Sequence, residues 1–441
     1  MLLTLVYYAL VIVITSNWCI RREKNPVGND INHLIHVTSG SCVSIPHFSV
    51  LEVDEFTQGL WKIYTQVREE GYTQPLSLGL FRNDFMIDVQ DPDHVQIKQV
   101  EINTIAAGAG SLGSLLVHLH RKVLHVDVIV GSRFTLDMVG KHYDKWEVQD
   151  NDASLGAALG LLKAWELYGR KQAAILFVVR ETEPKIFDQR HLEFKVFSLN
   201  PAVRVLRRTY LDINNGAFLT EDRRLVVYVI TDIEWDARLK LERSMAIKCP
   251  SIQYHLSGTK KIQQELTLNG AVEQFIKDPA AVKRIRATFV KQFSLDLGVE
   301  GDKGVELGKT DTDMYVLKPQ REGGGHNLYG NDIRKFLETH QNSTERNAYI
   351  LMERIFPKAH KNYLVTPGRP LLLSEVTNEL GIFGVYIGSA TEEKINMQCG
   401  HMLRTKLLGT DEGGLCTEHA CLDTPFMVND EVPVYSVIPL Q

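Results

Sequence analysis

At 441 residues, 44% hydrophobic and 23% charged, the chain is long enough to bury a large core and to fold as two or three lobes of one body. Its formal net charge of −5, the lack of a long basic block and the lack of a solenoid-period repeat argue against a nucleic-acid binder and against a helical array. Six cysteines without any Cys-x-x-Cys pair argue against a zinc site.

In chain order, the first feature is the apolar run "LLTLVYYALVIVIT", Leu2 to Thr15, followed by "SNWC" and then "RREK". The run has the length of a signal-peptide core and is short for a span of about 20 residues. Its charges follow the run instead of preceding it, which is the reverse of a secretory leader. A removable signal over residues 1–19, and hence a secreted protein, is the reading adopted; a signal anchor, a buried strand and a mis-assigned start are the alternatives. Export would permit disulfides, and Cys416 could pair with Cys421 across a loop, although free thiols fit equally well. The sequon Asn342-Ser343-Thr344 would then be a glycan site.

"FTQGLWKIYTQVREEGY" has helical apolar spacing, and "LGLFRNDFMI" and "VQIKQVEINTI" read as strands separated by a turn at Asp91-Pro92. "SLGAALGLLKAWELYG" is an amphipathic helix closed by Gly169, and "AAILFVV" after it reads as a buried strand. "LVVYVIT" leads into the helix "ARLKLERSMAI", ending near Cys249-Pro250, so residues 171–256 form a small α/β lobe. A helical section follows from Ser257, then strands over 314–318, 348–355 and 381–387.

"YVLKPQREGGGHNLYG" is not a Walker loop, yet a lysine at a strand end before Gly323-Gly324-Gly325 offers a cation and approachable backbone amides for phosphate. Glu322 within it could hold a magnesium ion that bridges phosphate oxygens. "AYILMERI" has the form of a hinge strand whose Met352 can pack on a flat base; on its own it is simply a buried strand. Glu101 and Asn103, two apart in "VEINTI", share a strand face and can share a metal. Arg404 and Lys406 in "HMLRTK" do the same with two cations, and each such pair is also what a polar strand face looks like.

Taken together with "AWELYG", "FDQR", "CPSI", "GTKKIQQEL", "ELGIFGVY" and "LDTPFMV", these stretches stand in one order from about Asp54 to Val428, and the chain resembles eukaryotic-type glutathione synthetases of the ATP-grasp superfamily. It is most similar to the secreted glutathione-synthetase-like effectors of plant-parasitic nematodes. The resemblance implies an α/β (α+β) ATP-grasp fold with a glycine-rich lid at about 300–374 and an inserted three-layer α/β lobe. The implied divisions are 20–170 for the amino-terminal part of the body, 171–256 for the substrate lobe and 257–441 for the ATP-grasp domain.

It further implies ATP as co-substrate, held by Lys260, Lys318, Gln320, Gly323, Gly324, Gly325, Asn327, Tyr329, Met352, Glu353, Arg354, Ile355, Glu379, Lys406 and Glu412. Mg2+ would sit on Glu101, Asn103 and Glu322. The peptide would meet Arg82, Ala106, Gly108, Glu183, Lys185, Gln189, Arg404, Leu415 and Cys416, with Arg404, Lys318 and Lys260 carrying the catalytic charge. The implied reaction phosphorylates the C-terminal carboxylate of γ-glutamylcysteine and lets the amine of glycine displace phosphate, in a homodimer.

Departures from the family pattern are lopsided. Ala106-Ala107-Gly108 stands where the family has hydroxyl-bearing "SAS", and Lys185 replaces an asparagine. "YVITDIEW" lacks the family's Arg-Asp-Gly-Tyr stretch, "GGLCTEHAC" replaces a small alanine-rich loop, and His326 stands where the flap pattern has asparagine. Nucleotide and metal positions are kept while peptide positions are changed, so the expectation is a carbon–nitrogen ligase with altered acceptor specificity and weak or no glutathione formation. The alternatives are an ordinary glutathione synthetase and a non-catalytic nucleotide binder.

Overall fold

The computed structural model describes residues 55–91, 95–105, 107–130, 146–183, 186–227, 234–320, 326–364, 372–411 and 420–428. Helix α1 (Glu55–Glu70) buries Leu60, Ile63, Tyr64 and Val67, the i, i+3, i+4, i+7 stripe of a one-sided helix. Strands β1 (Ser77–Asp88) and β2 (Gln96–Asn103) follow as an antiparallel pair whose register sets Arg82 opposite Asn103 and Asp84 opposite Glu101. Next come α2 (Gly110–Val130), β3 (Trp146–Val148) and α3 (Ala153–Tyr168). Asp152 caps α3 through the Leu155 amide at 3.0 Å, and Gly169 ends it in the left-handed region, as its sequence predicts.

Helix α3 is apolar on more than one side because it is covered twice. Gly156 and Gly160 lie so close to the sheet that a Cβ would fall 2.0 Å from the Cys399 Cβ and 2.6 Å from Val385 Cγ1. Ala158 and Leu162 pack instead with Val196 and Val203 of the lobe that follows. That lobe opens with β4 (Ala174–Val178), α4 (Ile186–Leu199) and β5 (Arg204–Arg208), a parallel strand–helix–strand unit. The expected buried strand is half-buried at every residue, since among the described residues β4 pairs with β5 alone.

A capping box of Thr209 and Asp212 starts α5 (Tyr210–Gly216), and the hairpin β6 (Ala217–Leu219) with β7 (Leu225–Val227) leads to α6 (Glu234–Glu242). This helix stops earlier than its apolar pattern suggests. The Lys248 ammonium donates to the carbonyls of Glu242 and Ser244 and closes the end.

Four short helices, α7 (Ile252–Ser257), α8 (Lys260–Thr267), α9 (Ala271–Phe275) and α10 (Pro279–Thr288), make up the expected helical section. After them β8 (Gln292–Ser294), α11 (Val299–Thr310), β9 (Tyr315–Pro319), α12 (Asn331–Thr339) and β10 (Tyr349–Glu353) build a second unit with strand order β8-β10-β9. Met314, expected at the start of β9, belongs to the 3-10 turn before it.

The remaining strands are β11 (His360–Tyr363), β12 (Leu373–Gly388), β13 (Glu393–Leu407), β14 (Ala420–Asp423) and β15 (Phe426–Val428). The predicted segment 381–387 is thus the carboxyl-terminal part of a strand more than twice as long. The main sheet runs β14-β13-β12-β1-β2, antiparallel throughout, with β11 also on β12. One face buries Phe81, Ile102, Leu380 and Leu403 against Tyr254 and Ile262 of α7 and α8. Alternation then forces the next residues of each strand, Arg82, Asp84, Glu379 and Arg404, to the other face. There α2 and α3 cover one end, with Phe383 and Met402 against Ala109 and Ala153, and leave the polar end open. Among the described residues no helix is long and apolar enough to cross a membrane, and the apolar leader lies outside them. Cys249, Cys399 and Cys421 are free thiols, while Cys416 lies outside the described residues.

Candidate active site

Strand register alone assembles much of the polar face. One cross-strand row is Asn103–Arg82–Phe383, the next Glu101–Asp84–Gly381–Met402, then Glu379–Arg404, then Thr377–Lys406. Gly381 is required in this pattern: a Cβ there would lie 2.7 Å from Arg82 Cδ and 2.8 Å from Asp84 Oδ1.

Arg82 donates through Nε to Asp84 Oδ1 at 2.6 Å and through Nη2 to Oδ2 at 2.7 Å, and its Nη1 donates to the Gly108 carbonyl at 3.1 Å. Burial alone would lower the arginine's pKa, but the Asp84 carboxylate holds it above the ordinary value. Arg404 pairs with the Glu379 carboxylate in the neighbouring row. Burial, together with the nearby Asp84 and Glu101 carboxylates, pushes the Glu379 carboxyl up in spite of that arginine.

Two lysines reach this face from other elements. Lys318 lies in the buried part of β9, and its ammonium donates to the Val100 carbonyl at 2.8 Å. Lys260 is the first residue of α8, with Nζ 3.1 Å from Glu101 Oε2. Burial would raise the Glu101 pKa; Lys260 and Lys318 reverse this and hold it well below the carboxylate range. Burial lowers Lys318 to about 8, the Glu101 charge opposing and the Lys260 charge assisting that fall. Gln320 fixes the arrangement, since its Oε1 accepts from the backbone N–H of Lys261 at 2.8 Å and so pins the start of the helix that carries Lys260.

Beside the lysines, Met352 and Ile355 are buried with Met86, Val290 and Val316, an apolar floor able to take a flat ring. Around Asp411, four of the sequence-predicted positions are brought together. Arg354 Nη2 lies 2.8 Å from Asp411 Oδ1 and its guanidinium stands 5.6 Å from the Tyr329 ring centre. The Tyr329 hydroxyl and the Lys406 ammonium donate to the Asp411 carbonyl at 3.2 and 3.0 Å, and Asn327 Nδ2 donates to the tyrosine oxygen at 3.2 Å. Glu353 is placed differently: its carboxylate turns to Lys291 at 2.9 Å.

Gln189 and Glu183 sit in the α4 lobe, bonded to each other at 2.9 Å, and Arg207 Nη2 donates to Gln189 Oε1 at 2.6 Å. Asp188 beside them accepts from the amides of Ala109, Ser111 and Leu112 at 2.7, 3.0 and 3.1 Å, tying the lobe to the start of α2 and to the Gly108 carbonyl that Arg82 uses. Ala106, Lys185, Glu322, Gly323, Gly324, Gly325, Glu412, Leu415 and Cys416 lie outside the described residues.

Asp84 and Asp188 were not among the residues picked out from the sequence. Asp84 carries a signal that period-2 logic reaches, because it lies two residues after Arg82 on the same strand face. Asp188 carries none, as its amide partners are 76 to 79 residues away.

A magnesium ion fits the donors present. Asn103 Nδ2 donates to Asp84 Oδ2 at 3.0 Å, so its carbonyl oxygen is the arm turned away from that carboxylate, and Glu101 stands on the same face. No group of three His, Cys, Asp or Glu side chains able to hold a metal occurs among the described residues; a hard cation here would take one or two protein oxygens and complete its shell with phosphates and water. The arrangement therefore offers two lysines for phosphate, oxygen donors for a cation and two guanidiniums for carboxylates.

Residues 26–427 match the pattern of the eukaryotic glutathione synthase ATP-binding domain. Glutathione synthetases of Bos taurus and Homo sapiens are each 40% identical over 418 residues, covering 90% of this chain and 85% of theirs. The chloroplastic glutathione synthetase of Solanum lycopersicum is 36% identical over 432 residues, 94% of this chain and 76% of its own. The fold is similar to that of a glutathione synthetase-like effector from Globodera pallida in its apo form, with a TM-score of 0.69 at 23% identity, covering 91% of this chain and 86% of that one.

Proposed function

The chain belongs to the eukaryotic glutathione synthetase family, and from that premise we propose that it is a secreted Mg-ATP-dependent carboxylate–amine ligase that acts on a γ-glutamyl-peptide-like substrate with altered acceptor specificity. The observation that carries the ligase reading is the meeting of Lys260, Lys318 and Glu101, from three elements remote in sequence, on the face that also bears Arg82 and Arg404.

In the proposed reaction an oxygen of the peptide carboxylate attacks the γ-phosphorus of ATP. The bond from that phosphorus to the bridging oxygen breaks and ADP leaves. Lys260 and Lys318 neutralise the phosphate charge as it moves. Magnesium bound at Glu101 and Asn103, with Glu322, would add neutralisation at the phosphate oxygens. The acceptor amine then attacks the acyl carbon, loses a proton and expels phosphate. Arg404, held by Glu379, faces the oxyanion with a charge that persists at any working pH. The apolar floor around Met352 is the proposed adenine seat.

Altered specificity rests on the sequence at Ala106 and Gly108, which bring no hydroxyl where the family pattern has serine, Gly108 giving Arg82 a carbonyl alone, and on the changed sequences around Lys185, 228–235 and 413–421. ADP release from Mg-ATP with γ-glutamylcysteine plus glycine, set against a panel of other γ-glutamyl peptides and amines, tests the reading, with Lys318→Ala as control. Turnover with another acceptor pair and little with glycine is expected. Robust glutathione formation would favour the second reading, an ordinary glutathione synthetase, for which the 40% identity to the mammalian enzymes speaks. Export is proposed on the apolar leader, and recovery of the processed chain from the medium of secreting cells is the expected result.

A further inference from the structure

Asp84 is fully buried, yet it is neither a phosphate nor a peptide ligand in the reaction above. Its two oxygens take three hydrogen bonds: both from Arg82 at 2.6 and 2.7 Å, and one from Asn103 Nδ2 at 3.0 Å. We propose that Asp84 is a positioning residue that orients the peptide-site arginine and the metal-site asparagine together, so that occupation of one site favours the other. This inference rests on the proposed function and adds to it a residue and a coupling between its two halves.

The chemistry is specific to a carboxylate. An acceptor with no donor of its own forces the Asn103 amide to present Nδ2 inward, which leaves Oδ1 for a cation. The same carboxylate meets the guanidinium with two parallel donors and fixes its plane, and the third donor, Nη1, is tied to Gly108. Gly381 supplies the space above the pair, as a Cβ there would strike both members. Neither Arg82 nor Asn103 can turn without breaking a bond to the same side chain.

The test uses the full chain, with Mn2+ as metal probe in the presence of a non-hydrolysable ATP analogue, followed by electron paramagnetic resonance. γ-Glutamylcysteine binding is followed in parallel by calorimetry. Asp84→Asn can turn its own Nδ2 toward Asn103 and frees Arg82; the expected result is a loss of Mn2+ affinity of about tenfold or more, the size seen for other residues that orient metal ligands. Peptide affinity should fall by about tenfold as well, and the gain in peptide affinity on adding Mn2+ should vanish. The swapped variant Asp84→Asn/Asn103→Asp restores a carboxylate on the metal side only. Mn2+ affinity should return to within about threefold of wild type while peptide binding stays weak, an asymmetry that simple destabilisation does not produce. If Asp84→Asn alone does not fold, this pair, which keeps one carboxylate and one amide, decides the matter. Unchanged affinities in a folded Asp84→Asn protein, or parallel losses in the swapped pair, would overturn the inference. Wild type that binds Mn2+ and peptide but turns over no γ-glutamyl substrate would instead overturn the proposed function and leave these readouts intact.

Discussion

The nucleotide end of the site and the α4 lobe hold their polar groups in different ways. At the nucleotide end, Glu101, Asp84, Glu379 and Arg404 are placed by the backbone ladder of a sheet that pairs β12 with both β1 and β13, and Lys318 is placed by the ladder between β9 and β10. In the lobe, Gln189, Glu183 and Arg207 are held mainly by one another, beside two parallel strands with no fully buried residue. Moving a residue of the ladder requires breaking several backbone hydrogen bonds at once, whereas the lobe network exchanges partners by rotamer changes. On this view an altered acceptor specificity arises most easily on the lobe side, since change there leaves the phosphate chemistry standing.

The largest expected effect is Lys318→Ala. Removing a buried cation at the point of phosphoryl transfer should lower turnover by about 10²–10³-fold and also remove one of the charges that hold Glu101 down. Steady-state ADP release measures it, and a loss under tenfold would mean that Lys260 alone suffices. Next is Asp188→Ala, which frees three amides at the start of α2. Leaving these donors without their charged acceptor should cost about 1–3 kcal/mol, or roughly 5- to 150-fold in peptide KM with kcat for the phosphorylation step kept. If kcat fell with KM unchanged, the lobe would be part of the catalytic frame instead of a docking wall.

Both lysines and both arginines of the site could be found from the sequence, through motif order and period-2 alternation, because each lies in a local segment with its own signature. The pairings across distant segments could not. Glu379 and Arg404 are 25 residues apart and meet only through the β12–β13 register. Lys260 meets Glu101 across the stretch between β2 and α8. The length of β12 was missed since its amino-terminal part, "LSEVTN", carries polar residues that alternation alone does not distinguish from a loop. The half-buried β4 was misread for the opposite reason: a continuous apolar run suits a strand covered on both faces, and local pattern does not reveal how many neighbours a strand has.

A smaller effect comes from pH, and it belongs to the nucleotide end alone. Lys318 is lowered from 10.5 to about 8, chiefly by burial. A lysine with a depressed pKa is charged below that value and neutral above it, so the cation that phosphate needs is present at pH 7 and is lost as pH rises through 8. The KM for ATP should therefore climb above pH 8, by about tenfold at pH 9 if the charged form alone binds. Lys318→Arg, whose guanidinium stays protonated, should flatten this limb even if its turnover is lower. A limb that persists in the arginine variant would transfer the titration to another group.

The smallest effect is expected from Gln189→Ala, and it bears most directly on the contrast between ladder and network. Gln189 accepts from Arg207 at 2.6 Å and donates to Glu183 at 2.9 Å, but Arg207 has a second partner, with Nη1 2.5 Å from Glu193 Oε1. Removing the amide thus leaves the Arg207 guanidinium still paired, and the lobe loses two hydrogen bonds instead of a charge balance. Both lost bonds run to charged groups, a kind that contributes about 1.5–3 kcal/mol when the partner is left bare, but Arg207 keeps Glu193 and water can replace the amide at this half-buried site, so peptide KM should rise by only roughly threefold and ATP KM should not move. Competition between peptides is the sharper readout. If the network sets acceptor choice, the ranking of γ-glutamyl peptides by kcat/KM should change in this variant while the rate with the best of them is nearly kept. A uniform loss across all peptides, comparable to that of Lys318→Ala, would show that the lobe residues are as firmly built into the catalytic frame as those of the sheet, and the distinction between the two ends would fall.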